Sequence, residues 1–200
     1  CYTNKILHDN GIVVTMAGDM GDEVLGGYPK YWKLRKESLK TWTDVIDKWI
    51  NRIKRPIKVY DKVVLRNEML KCYPEDLWNP NDPIGSYMAL DCVAQVPEEF
   101  LMRNDKYGMA YSMEGRFPLA TKTFMQHCMN IHSDQKIGKE KGDTKLLTKI
   151  AYKDLLPNVI INKMKTGWTV PLQHWWNKSG KANIPAMILE DWKKTYRVLT

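Results

Sequence analysis

Long apolar runs are missing from this sequence: none extends beyond a few residues, so no segment of it is suited to cross a bilayer as a helix. The opening stretch, CYTNKILHDNG, has no apolar core and is not expected to act as a signal peptide. Cysteine is sparse and scattered. Cys1, Cys72, Cys92 and Cys128 form no CxxC pair and keep no regular spacing, which argues against both a disulfide framework and a zinc site. A reducing, cytoplasmic setting is the expectation. Histidine is equally thin, and the nearest pair, His127 and His132, would stand about 140° apart on a helix, a poor geometry for a shared metal. Internal repeats and low-complexity segments are also absent.

What is present is ordinary globular composition with a basic excess. At 200 residues, 44% apolar and 27% charged, the chain can bury one sizeable core or two small ones. A net charge of +8 with eight tryptophans and ten tyrosines raises nucleic-acid binding as a reading. Against it, the charge is spread over the whole chain rather than gathered in one arm.

Residues 4–10 predict a short helix, and GIVVTM, residues 11–16, a strand buried on both faces in the manner of a parallel sheet. In SLKTWTDVIDKWINRIK the residues Leu39, Trp42, Val45, Ile46, Trp49, Ile50 and Ile53 share one stripe, predicting an amphipathic helix that ends before Pro56. Further helices are expected over residues 61–72, 85–95, 97–106, 121–131, 144–156 and 183–194. GIVVTM is the one convincing strand. Since a parallel strand needs partners along its edges, the sequence reads as the tail of an α/β domain whose first strands lie elsewhere.

Chemistry concentrates in two places. In VVTMAGDMGDEVLGGY, residues 13–28, the strand runs into Gly18, Asp19, Gly21, Asp22 and Glu23. Ligands of open α/β sheets bind beyond the carboxyl ends of the strands, and such acids suit a hard cation like Mg²⁺ that shares its shell with phosphate. The same acids would equally suit the first turn of a helix. The second place is IGKEKGDTKLLTKIAYKDLLP, residues 137–157. Residues 133–142 are expected to form a mobile loop, after which Asp143 or Thr144 caps a helix with Leu146, Leu147, Ile150, Ala151, Leu155 and Leu156 on its apolar side. Lys145 then falls in the first turn, where a cation is favoured only if an anion docks beside it. A lysine pointing into water is the plainer alternative. Taken together, acids for a metal and a lysine for phosphate favour an ATP-using reaction.

These motifs resemble a known family. TMAGDMGDEVLGGY is similar to the SGDGGDE-x-x-GGY segment of asparagine synthetases, and DKYGMAYSMEGRFP to their D-x-x-x-M-A-x-S-x-E-x-R-x-P segment. KLLTKIAYKDLLP resembles the lysine-led helix, and NKMKTGWTVPLQHWW the closing K-x-G-F/W-x-x-P segment. Four motifs in the family's order cover roughly residues 4–178. The resemblance, to the C-terminal synthetase domain of the glutamine-hydrolysing type, implies an adenine nucleotide alpha-hydrolase-like (ATP pyrophosphatase) α/β fold. That fold has a parallel sheet with helices, mostly helical in this portion, with residues 1–200 forming the C-terminal part of one such domain.

It implies further that ATP and Mg²⁺ are used to adenylate the side-chain carboxylate of aspartate or a similar acid, and that ammonia from a glutaminase domain then displaces AMP. By position, Ala17, Gly18 and Asp19 would bind ATP, and Asp22 would hold Mg²⁺. Asp19 would stand beside the β-aspartyl-AMP intermediate, and Lys145 would stabilise the departing pyrophosphate. Glu23, Glu114 and Arg116 would shape the substrate pocket. A homodimer is compatible with the resemblance; a membrane or nucleic-acid partner is not implied.

The chain departs from the family pattern in several places. The pyrophosphate-binding segment SGG-x-D-S does not occur in these residues, whose one Gly-Gly pair is Gly26-Gly27. A preceding segment or a second chain is expected to carry it. CYTNKIL is unlike the segment that begins the family's glutaminase half, so Cys1 is not expected to be its nucleophile. Ala17 replaces the usual Ser, and PLAT, ending at Thr121, stands where the family has PFLD. The alternatives are therefore a related adenylating amidotransferase or β-lactam synthetase acting on another carboxylate, and a non-catalytic basic binding module.

Overall fold

The computed structural model describes residues 2–52, 61–140, 142–163 and 165–166. The chain divides into two compact units, Cys1–Val45 with Tyr73–Lys165, and Ile46–Cys72 with Thr166–Thr200.

The first unit opens with α1 (Tyr2–Asp9), which leads through a turn at Gly11 into β1 (Val14–Met16). Two short helices follow, α2 (Gly21–Leu25) and α3 (Pro29–Leu34), and then α4 (Trp42–Asn51), inside which the boundary between the units falls. On α4 the expected stripe is the buried one, with Trp42, Val45, Ile46 and Ile50 all buried. Beyond the second unit's α5 (Lys62–Cys72) the chain returns through a 3₁₀ turn at Glu75–Leu77 to α6 (Pro83–Leu90), a π-helical stretch (Asp91–Leu101) and α7 (Met102–Met109).

Two helices were expected here, broken before Pro97, whereas the backbone stays helical from Pro83 to Met109. Pro97 has no N–H to donate and crowds the turn behind it, and the wider π turn accommodates that defect without ending the helix. Val96 and Cys92 thereby reach the core with Met20, Val24 and Cys128. Burial pushes the Cys92 thiol up to about 12, so it serves as a small apolar group.

The sequence reading missed a strand. β2 (Glu114–Arg116) pairs parallel to β1, Val14 against Glu114, Thr15 against Gly115 and Met16 against Arg116. The ladder is extended by Glu114 N donating to Val13 O at 2.8 Å and by Ala17 N donating to Arg116 O at 3.0 Å. A Glu-Gly-Arg triplet carries no β propensity, so pairing alone makes it a strand. β1 corrects a second expectation. Val13 and Met16 are 60% and 73% exposed, so the strand is not buried on both faces. Among the described residues β2 flanks one edge, and no helix covers the face carrying Val14 and Met16.

After a 3₁₀ turn at Pro118–Ala120 come α8 (Lys122–Met129) and α9 (Ser133–Lys136). Residues 133–139 are tied down where their composition suggests a loose loop. Ser133, Lys136 and Ile137 are buried, and Asp82 accepts from Ser133 N at 2.8 Å and Ser133 Oγ at 2.5 Å while also capping α6 through Gly85 N. Arg35 donates to Ile137 O at 2.7 Å, and Trp32 to Lys139 O at 3.1 Å. Burial lowers the affinity of the Lys136 ammonium for its proton, opposed by Cys128, Asp82 and Cys92.

The lysine-led helix is also shorter than expected. α10 (Leu146–Ala151) starts one residue after Lys145, which is itself the cap residue, so neither Asp143 nor Thr144 caps it. Its apolar side faces solvent at Leu147 and Ile150, and Leu155 and Leu156 lie beyond it, before α11 (Asn158–Ile161). In the second unit, Arg66 on α5 donates through Nε and Nη2 to the two carboxylate oxygens of Asp47 on α4, and Lys62 donates to Asn51 at 2.7 Å. Ile53, Pro56 and the helix expected over residues 183–194 lie outside the described residues.

Asp82→Ala should be among the most damaging single changes in the first unit. It removes a helix cap and leaves the Ser133 donors buried without a partner, a combined loss of about 2–4 kcal/mol. Urea denaturation checks this, with Asp82→Asn expected between wild type and Asp82→Ala.

Candidate functional site

The candidate site is built around α2. Met20, its N-cap, holds φ 76° and Gly26, just past its end, φ 74°, so both ends of this five-residue helix turn in the left-handed region. Such a φ is easy for Gly26 and strained for Met20. A Cβ at Gly27 would come within 1.9 Å of Asp22 Oδ1 and 2.5 Å of Lys145 Cε, so any side chain there would displace these two groups. The bare backbone allows these two side chains to meet. Lys145 also sits in the left-handed region, at φ 54°, and its N–H donates to Gly26 O at 3.3 Å. Non-glycine strain of this kind gathers at functional sites.

Lys145 Nζ lies 2.7 Å from Asp22 Oδ1, and Lys165 Nζ lies 2.5 Å from Oδ2. The Lys145 contact is ionic rather than an aligned hydrogen bond, leaving Oδ1 buried with no donor directed along its lone pairs. Burial would raise the Asp22 carboxyl, but the ammonium groups of Lys145 and Lys165 outweigh it and hold it below its ordinary value. Lys165 also rides 5.5 Å from the centre of the Tyr28 ring.

The neighbouring Glu23 behaves oppositely. It is buried and turned inward, receives the Tyr28 hydroxyl at 2.8 Å, and is pushed up by burial despite that bond. The Tyr28 hydroxyl is raised too, by burial and then by Glu23. Deeper still, Asp91 accepts from Tyr31 OH at 2.7 Å and pairs with Lys30 at 2.6 Å.

Of the residues singled out from the sequence, the fold brings Asp22 and Lys145 into contact. Asp19 leaves the same turn but accepts from Asn104 on α7, at 2.7 Å. Ala17 continues the β1 ladder, and the space beside Gly18 is open. Glu114 and Arg116 are exposed on one face of β2 and pair with each other at 3.0 Å. Lys165 and Asn104 were not singled out. Lys165 does lie in the quoted K-x-G segment, whereas nothing local marked Asn104.

Among the described residues no group of three metal-ligating side chains occurs. His132 meets the Asn81 carbonyl instead, 3.0 Å away. The half-buried Asp22 carboxylate, whose Oδ1 accepts no aligned hydrogen bond, does suit an ion that takes its remaining ligands from phosphate and water, as Mg²⁺ does.

Asp22 and its two lysines thus lie beyond the carboxyl end of β1, the place where ligands of open α/β sheets bind. The chain belongs to the asparagine synthase family, whose model matches residues 2–197. It is 23% identical over 202 residues to asparagine synthetase [glutamine-hydrolyzing] 1 of Bacillus subtilis (strain 168), a match taking in 82% of this chain and 32% of the relative. The chain thus spans about a third of the length of that curated relative. No solved structure matches it.

Two stability measurements probe the site. Lys145→Gly and Lys145→Ala both remove the ammonium, but only glycine relieves the left-handed backbone, so Lys145→Gly should be the more stable by about 1 kcal/mol. Urea titration of the two variants at one pH checks the order.

The second concerns pH. Asp22, held below its unfolded value of 3.8, contributes stability that is full above that pH and lost as pH falls through the folded value. Glu23, held above 4.5, contributes stability below that pH that is lost as pH rises through its folded value. Asp22→Asn should therefore flatten the stability loss below pH 4. Glu23→Gln, which keeps an acceptor for Tyr28, should gain on wild type as pH rises from 4 to 7.

Proposed function

We propose that the chain is part of an ATP-dependent ligase that adenylates the side-chain carboxylate of aspartate and passes the β-aspartyl group to ammonia, giving asparagine, AMP and pyrophosphate. The observation that carries this reading is the convergence of Lys145 and Lys165 on Asp22. In it the two ammonium groups leave Asp22 for the oxygens of the pyrophosphate. They hold the charge that builds there as the bond to the α-phosphorus breaks.

Asp22, released from the lysines, is then the metal ligand. Bound Mg²⁺ supplies charge neutralisation on the phosphates. Ala17 and the open backbone at Gly18 border the nucleotide, and Asp19 faces the acyl-adenylate. Arg116, on an exposed strand end with Glu114, is available to a substrate carboxylate. Glu23 supports this pocket from within through Tyr28.

The partners follow from the same reading. The Bacillus subtilis relative is a glutamine-hydrolysing synthetase, which supports a glutaminase domain as the ammonia source. A pyrophosphate loop of the SGG-x-D-S type would come from polypeptide outside these residues. The cytoplasm is the compartment proposed, and a homodimer the assembly. A second acceptor carboxylate stays in play because Thr121, which donates to Pro118 O at 3.3 Å, stands where the family pattern has an acid.

Exchange of labelled pyrophosphate into ATP, measured on the complete polypeptide with aspartate and other carboxylates, tests the reaction and the acceptor together. Lys145→Ala should lower that exchange about 100 to 1,000-fold with the fold retained in thermal melts, as loss of one positioned charge donor does. Lys145→Arg should not restore it fully, because a planar fork cannot replace a compact ammonium against Gly27. Exchange at the wild-type rate in Lys145→Ala would refute the assignment.

A further inference from the structure

We propose that Asn104 is a positioning residue for Asp19: its amide holds one carboxylate oxygen so that the other meets the amine that attacks the acyl-adenylate. This rests on the role given to Asp19 above. The contact joins residues 85 positions apart, with Asn104 Nδ2 donating to Asp19 Oδ2 at 2.7 Å. Both side chains are half-buried, whereas the α7 neighbours of Asn104 are exposed, Arg103 reaching Glu99 at 3.6 Å.

The frame behind the contact is stiff. In the last turn of α7 stands Gly108, where a Cβ would come within 2.8 Å of Met113 O, and Met113 N donates to Gly108 O at 3.1 Å. Met113 leads directly into β2, and β2 is laddered to β1, from which the Asp19 turn departs. Donor and acceptor thus hang from one pair of strands.

The chemistry of the partner matters as much as its position. Asp22 is held by two ammonium groups, which suit it to surrender one cation for another. Asp19 is held by a neutral amide, which orients a carboxylate without cancelling its charge. The nitrogen of ammonia forms a bond to the acyl carbon, the C–O bond to the phosphate breaks, and its electron pair leaves with AMP. One N–H proton passes to Asp19 Oδ1, the oxygen that Asn104 leaves open.

The test compares two rates in the complete enzyme, pyrophosphate exchange, which reports adenylation, and ammonia-dependent amide formation. Asn104→Leu and Asn104→Asp should leave exchange within about twofold of wild type and lower amide formation about tenfold to a hundredfold, the usual effect of a misplaced reacting group. Asn104→Asp has the same shape as asparagine but presents acceptors, so it separates hydrogen bonding from packing. Asn104→His, whose ring nitrogen can donate from the same place, should recover most of the loss.

An equal fall in both rates would reduce Asn104 to a structural residue and overturn the proposal, as would normal amide formation in Asn104→Asp. Asp19→Asn is the control that separates the two readings. If it impairs amide formation while the Asn104 variants do not, only the positioning role falls; if Asp19→Asn itself is unimpaired, the role of Asp19 falls and the proposal with it.

Discussion

The first unit turns on one carboxylate shared by two ammonium groups. Lys165, 143 residues further along the chain, and Lys145 both reach Asp22. Each lysine alone would make an ordinary ion pair of modest strength. Together they depend on Asp22, because without its charge two like charges would be left facing each other across a partly buried gap. The local backbone accompanies this contact: a side chain at Gly27 would displace Asp22 and Lys145, Lys145 holds a strained φ, and α2 runs for five residues between two left-handed turns.

Around this pair the interior is more polar than the composition suggests. Asp82 organises the turn that carries α9, and Asp91 draws in Tyr31 and Lys30, whose ammonium lies 4.7 Å from the Tyr28 ring centre. Buried acids satisfied in this way are demanding about geometry, since each unmet donor or acceptor is expensive in a low-dielectric setting. They fix the segments that bear Lys145 and Tyr28 more tightly than apolar contacts alone would, because a hydrogen bond has a direction and a methyl contact does not.

The parts of the fold legible in the sequence were those governed by local pattern. The stripe on α4 and the acidic turn after β1 follow from periodicity and from glycine placement. What escaped was set by distant partners. β2 is a strand because β1 lies beside it. The segment from Ser133 reads as a loose loop until Asp82, 51 residues away, accepts from its first N–H and hydroxyl. β1 was misjudged for the reverse reason: an apolar run announces burial, but burial requires a covering layer, and none lies over Val14 and Met16 among the described residues. At the site, Asp22 and Lys145 were visible as residue types suited to a task, whereas Asn104 had no local mark.

The two aspartates of the turn show how one short loop can divide labour. Asp19 and Asp22 have the same functional group and arise three residues apart, so intrinsic chemistry cannot distinguish them. Their partners do. Asp22 sits on α2, turned toward the two lysines, and becomes an acid that is strongly ionised and already accustomed to cations. Asp19 precedes that helix and looks toward α7, where the partner is an amide of no net charge. Pairs of carboxylates whose surroundings diverge in this way are suited to separate roles. The left-handed residue between them, Met20, turns the chain so that the two acids point to different neighbours. A right-handed backbone at Met20 would let the helix begin earlier, bring Asp19 into the first turn beside Asp22, and set two like charges before the same lysines. The strain at Met20 is thus the structural means by which one loop keeps two carboxylates apart.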